Sequence, residues 1–254
     1  MPANTLLLFP ALWALAALLL LRWTERRVHR HLQQFGWQVT GNRTVALVAY
    51  AVLLFPGVVL HEVSHWLLAR LLGVRTGRIS LLPSRGKDGQ LVLGSVEVHV
   101  AGLDPIRETL VGAAPLIAGC AALFLIANHL YGVAAATQAF AGGEGRSILD
   151  LLVQGWHRPD FWLWFYLIFA VANAMMPSPA DRRAWPAFLA LVALVVVILL
   201  ILGWGDWLLP RLAGASAGLT GALATTLTLT AGVNLLILGG LAAMEALLKA
   251  VGRN

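Results

Sequence analysis

Val45-Ala46-Leu47-Val48-Ala49-Tyr50-Ala51-Val52-Leu53-Leu54-Phe55-Pro56-Gly57-Val58-Val59-Leu60-His61-Glu62-Val63-Ser64-His65 is an apolar run that ends on two imidazoles and a carboxylate, then continues apolar through Trp66-Leu67-Leu68-Ala69. A helix of ~20 such residues crosses the hydrocarbon of a bilayer. Residues four apart lie on one helix face, so His61 and His65 can grip one metal ion together. Glu62, one step round, is placed to act as general base beside that metal. Polar groups in hydrocarbon cost several kcal/mol unless compensated, and a bound cation compensates them. The competing reading is a polar cluster on a helix interface, its histidines satisfied by neighbouring carbonyls.

Outward from this run the rest of the chain has the same character. Hydrophobic residues make up 59% of the 254, charged residues 12%, and mean hydropathy is +0.79, outside the globular range. The expected fold is an all-α polytopic membrane protein with about six transmembrane helices, near 5–21, 44–70, 109–131, 161–176, 185–209 and 218–248. The first segment carries no Lys or Arg before Phe9 and no cleavage-like site after it, and reads as an anchor. Cys120, the single cysteine, excludes an internal disulfide. The net charge of +6 suits basic loops meeting anionic lipid head groups. Nucleic acid is excluded as a partner, because the basic residues are scattered through short loops without a binding motif.

Between the second and third spans, Gly77–Leu82 and Gln90–Val100 have strand character. The latter alternates Val92, Val96, Val98 and Val100 against Ser95, Glu97 and His99. The turn-forming residues between them predict a β-hairpin, which either offers an edge to an extended peptide or lies on the membrane surface. Residues 141–145 read as a flexible tip and 147–156 as a short interfacial helix. Arg22, Arg26, Arg27 and Arg30, with His29 and His31, read as a solvated juxtamembrane helix, with metal or lipid binding as the alternatives. The chain divides into an N-terminal anchor and basic segment (1–43), a core with the hairpin 77–100 (44–184), and two C-terminal helices (185–254).

A catalytic zinc takes three protein ligands and leaves a fourth position open. By parity of crossings the fourth span runs parallel to the second, so its C-terminal end reaches the depth of the histidines. There the chain reads Asn173-Ala174-Met175-Met176-Pro177-Ser178-Pro179-Ala180-Asp181. The prolines unwind the helix end and can turn Asp181 back toward the core. Its competing role is an interfacial pair with Arg182 or Arg183. Asp150, Asp160 and Asp206 fall toward the opposite face, and Glu245 lies on an amphipathic helix end. Asp181 is the favoured third ligand.

The H-E-x-x-H helix, the small-residue helix Gly112-Ala113-Ala114-Pro115-Leu116-Ile117-Ala118-Gly119 and the Asn173…Pro177-x-Pro179-x-Asp181 segment together resemble the site-2 protease family of intramembrane zinc metalloproteases. The likeness covers about 44–184, with Arg182 standing where that family usually has Gly. It implies that His61, His65 and Asp181 bind one Zn2+ and that Glu62 activates water. It also implies that Asn173, Pro115 and the strand residues Val96 and Val98 meet the substrate, although Asn173 reads equally as a hydrogen-bond donor between helices. The expected activity is hydrolysis of peptide bonds in or near transmembrane segments of single-span membrane proteins, in a prokaryotic cell membrane and nearer its cytosolic side. The rivals are a CaaX-processing type of membrane peptidase, which needs a downstream Glu as third ligand, and a non-cutting scaffold, which has no need of Glu62.

Overall fold

The computed structural model describes residues 3–81, 83–85, 91–99, 104–132, 150, 153, 155–250 and 252. They are mostly helical: α1 (Ala3–Thr40), α2 (Arg43–Leu71), α3 (Pro105–Tyr131), α4 (Phe161–Ala172), α5 (Trp185–Ile201) and α6 (Gly205–Ala250). Four short strands, β1 (Arg75–Ser80), β2 (Ser84–Arg85), β3 (Leu91–Val92) and β4 (Ser95–His99), lie between α2 and α3. The expected tip at 141–145 lies outside the described residues, as does most of the expected helix at 147–156.

Among the described residues three helical stretches are long and apolar enough to cross a membrane: Arg43–Leu71, Pro105–Leu130 and Leu219–Leu248. This is fewer than the six spans expected. The first apolar segment and the basic segment behind it form one continuous helix, α1, of 38 residues. The fourth apolar segment yields only the 12 residues of α4, because the chain leaves the helix ahead of Pro177 and Pro179. α5 has 17 residues and ends in a turn at Gly203, whose φ of 77° suits glycine.

Local chemistry explains the principal boundaries. α2 begins where Asn42 Oδ1 accepts the N–H groups of Thr44 (2.8 Å) and Val45 (3.3 Å), a cap worth about 1 kcal/mol. α3 begins with Asp104 accepting from the Arg107 N–H and with Pro105 at its first position, and ends at Gly132 in the left-handed region. β1 and β4 pair antiparallel, with Ile79 opposite Val96, Thr76 opposite Val98, and an irregularity between Thr76 and Ile79. β2 and β3 extend the same hairpin toward its tip. The hairpin expected from the alternating valines therefore forms.

The helices pack so that the expected parallel pair exists. α2 and α4 run side by side in the same direction, Gly57 against Ala170 and His61 against Ala174. α3 runs antiparallel to both, with Val111 beside His65 and Gly119 against Met175. α1 folds back on α2 at Gly36 and Ala46 and lies parallel to α6, where Trp13 donates to Thr228 (3.0 Å) and His31 meets Glu245 (2.9 Å). Leu21, Leu54, Leu123, Ile168, Phe169, Met175 and Leu227 are among the buried side chains that join these helices in one core. The metal-motif half of α2 lies within it.

Candidate metal centre

His61 and His65 project from successive turns of α2, and their Nε2 atoms are 3.2 Å apart. Asp181 brings Oδ1 to 3.2 Å from His65 Nε2 and Oδ2 to 3.8 Å from His61 Nε2. The three are the one group of His, Cys, Asp and Glu among the described residues arranged to hold a metal, all donor atoms within 4.8 Å of one another. Ligand atoms 2.0–2.1 Å from a tetrahedral zinc stand about 3.3–3.4 Å from one another. The observed separations bracket that value, so the residues fit the ion.

The other ring nitrogens fix the chemistry. His61 Nδ1 lies 2.6 Å from the Ala174 carbonyl oxygen, and His65 Nδ1 lies 2.8 Å from that of Val111. A carbonyl can only accept, so each Nδ1 carries the proton and donates it. In the neutral rings both Nε2 lone pairs then face each other and a carboxylate, an arrangement that needs a cation or an added proton between them. Nδ1–H bonded to a backbone carbonyl is also how metal-bound histidines are usually oriented.

Each carbonyl is free for a reason written in the sequence. Within α3 the Val111 oxygen would ordinarily accept from the N–H four residues on, but that residue is Pro115, which has none. Ala174 lies just past the end of α4, where carbonyls lose their helical partners. Pro115 is itself fully buried.

Asp181 is held by the short turn that carries it. The Ser178 N–H donates to Asp181 Oδ2 (2.7 Å), and the Asp181 N–H donates to Ser178 Oγ (3.2 Å). Gly112 lets α3 approach so closely that a Cβ there would strike the Asp181 carbonyl. Among the described residues the ion-pair partners of Asp181 are His61 and His65, whereas Arg182 Nε donates to the Ser178 carbonyl. Two of the rival acids are engaged elsewhere: Glu245 with His31, and Asp160 with Arg158, His129 and Trp164.

Glu62 is 6% exposed and lies under the hairpin. A Cβ on Gly94 would stand 2.7 Å from Glu62 Cγ and 2.8 Å from Oε1, so the β3–β4 turn rests on the carboxylate. Leu93 packs into the same core.

Comparison with family models, curated proteins and solved structures finds no match to this chain. Val96 is half-buried, and Val98 packs toward Ala69, Val74 and Val111. Asn173 is 2% exposed; its Nδ2 donates to the Phe169 carbonyl (2.8 Å) and to Asn234 Oδ1 (2.8 Å). Two contributors went unnoticed in the sequence. Gly94 gave no signal, because it falls inside the stretch Gln90–Val100 that reads as one strand. Asn234 could have been found as a lone amide in the apolar stretch Ala231-Gly232-Val233-Asn234-Leu235-Leu236.

Proposed function

We propose that this protein is an intramembrane zinc metalloprotease that hydrolyses peptide bonds in or near transmembrane segments of other membrane proteins. In this reading α1, α4 and α5 complete a six-segment membrane domain around α2, α3 and α6. The observation that carries the proposal is the convergence of two Nε2 lone pairs and the Asp181 carboxylate, with both Nδ1–H groups turned away to carbonyls. The adjacent buried acid in H-E-x-x-H register separates a hydrolase from a metal site that only stabilises the fold.

Bound zinc would polarise the scissile carbonyl and lower the pKa of water to about 7. Glu62 takes a proton from the water as its oxygen attacks the carbonyl carbon. It returns that proton to the amine nitrogen as the C–N bond breaks, leaving a carboxylic acid and an amine, and the acid's remaining proton passes to the amine to give carboxylate and ammonium. His61 and His65 stay neutral and fixed through their Nδ1–H bonds. Burial of the site in the helical core keeps bulk water from competing with substrate. A substrate helix must unwind before its carbonyl is accessible, and the β-hairpin beside Glu62 offers strand edges to replace its lost backbone bonds.

The test is co-expression with a library of tagged single-span membrane proteins, comparing wild type with Glu62→Ala. Cleavage products that vanish in the variant, with zinc content unchanged by elemental analysis, support the proposal. Products identical in both would refute it.

A further inference from the structure

Two buried amides lie behind the metal centre. Asn234, on α6, is fully buried and exchanges hydrogen bonds with Asn173: Asn173 Nδ2 donates to Asn234 Oδ1 (2.8 Å), and Asn234 Nδ2 donates to Asn173 Oδ1 (3.3 Å). Asn234 Nδ2 also reaches Thr24 Oγ1 on α1 at 3.4 Å, and Thr24 too is fully buried. Asn173 caps α4, its backbone N–H bonded to the Phe169 carbonyl (3.2 Å) and its side chain to the same oxygen. The next residue is Ala174, whose carbonyl receives the Nδ1–H of His61.

We infer that Asn234 is a positioning residue for the metal centre, holding the end of α4 so that the Ala174 carbonyl orients His61. An unpaired polar side chain in this environment is costly, so a reciprocal amide pair has one strongly favoured geometry. The following residue transmits that geometry: with Asn173 fixed, the Ala174 N–H (3.1 Å) and the Met175 N–H (3.0 Å) both donate to the Val171 carbonyl, so the planar Ala174–Met175 peptide that carries the Ala174 oxygen is held on the same helix end. The consequence reaches beyond the three-helix core. α6 and α1 contribute to the metal site although neither supplies a ligand, and Asn173 serves as their attachment point. This inference rests on the metal reading of His61, His65 and Asp181, and not on proteolysis.

The experiment uses the full chain in detergent micelles, with Zn2+ affinity measured by chelator competition. The visible absorption of Co2+ in place of zinc reports the coordination geometry. Asn234→Leu, close in volume and unable to hydrogen-bond, is expected to weaken Zn2+ binding about tenfold or more, the usual cost of removing an orienting partner, and to shift the cobalt bands. Thr228→Val, which disturbs the same α1–α6 pairing at the Trp13 contact, is expected to leave both readouts at wild-type values. Should Asn234→Leu fail to fold, Thr24→Val decides, with an expected loss of about two- to threefold.

If wild type binds no Zn2+, the metal reading itself falls. If wild type binds and a folded Asn234→Leu binds equally well with unchanged cobalt bands, the positioning role alone is overturned. It is overturned as well if Thr228→Val weakens binding as much as Asn234→Leu, or if Thr24→Val, when it has to decide, leaves both readouts unchanged.

Discussion

Gly112→Ala is a one-carbon change that tests the metal centre through its backbone. The Cβ would collide with the Asp181 carbonyl oxygen and stand 2.9 Å from the carbonyl carbon and 3.3 Å from Cα. Real Cβ atoms keep at least 3.0 Å from such neighbours and the carbonyl oxygen lies well inside that limit, so the Asp181 backbone must retreat by about 1 Å. Metal ligands are held to about 0.2 Å of their ideal distances, so the displacement exceeds what the site tolerates. α3 cannot absorb it, because Val111, the preceding residue, is anchored on His65 at 2.8 Å. The expected result is a loss of Zn2+ affinity of about tenfold or more, with a fall in stability of about 1–3 kcal/mol from overpacking. Chelator competition and thermal unfolding in the same detergent measure the two effects. Gly232→Ala provides the opposite sign: its Cβ meets nothing within 4 Å on a helix, so stability should rise by about 0.5–1 kcal/mol with unchanged zinc binding. A Gly112→Ala protein that bound zinc as wild type does would refute the placement of Asp181 in the site.

Pro115→Ala restores a backbone N–H that competes with His65 for the Val111 carbonyl. The helix should gain up to about 3 kcal/mol of propensity, less the packing lost, while zinc affinity falls about tenfold; parallel changes in both quantities would contradict this role. Gly94→Ala pushes the hairpin against Glu62, so cleavage should fall toward about 100-fold while zinc content holds, as assays of product and bound metal would reveal. Asp160 joins the ends of α3 and α4, and the hydrogen bonds from Arg158 and Trp164 hold its carboxyl below the usual carboxylate range. A depressed acid contributes stability above its unfolded value near 3.9, lost as pH falls through the folded value. Asp160→Asn should therefore melt below wild type at pH 7, with the gap closing only below about pH 4; a gap independent of pH would refute this.

What the sequence discloses follows from how each feature is encoded. His61 and His65 were legible because helical spacing alone puts i and i+4 on one face. Asp181 was legible because the direction of α4 follows from the order of apolar segments, even though α4 itself is too short to cross a membrane unaided. The hairpin was legible from alternating valines. Helix lengths were less legible than the apolar segments themselves, since hydropathy counts apolar residues but does not mark where Pro177, Pro179 or Gly203 ends a helix. Asn173 carried two readings, substrate contact and a hydrogen bond between helices, and its amide is paired with Asn234 on α6.

The groups that orient the ligands are the hardest to read, for a physical reason. Both histidines lean on backbone carbonyls, and every residue has one, so Val111 and Ala174 carry no signature in their side chains. What makes those two oxygens available is the removal of their usual partners, by Pro115 in one case and by the end of α4 in the other. A metal motif in an apolar helix is therefore better judged by asking which neighbouring helix has lost an N–H at matching depth. By that criterion the proline of the small-residue helix is as informative about this site as the H-E-x-x-H itself, because it explains why His65 can present Nε2 and not Nδ1 toward Asp181.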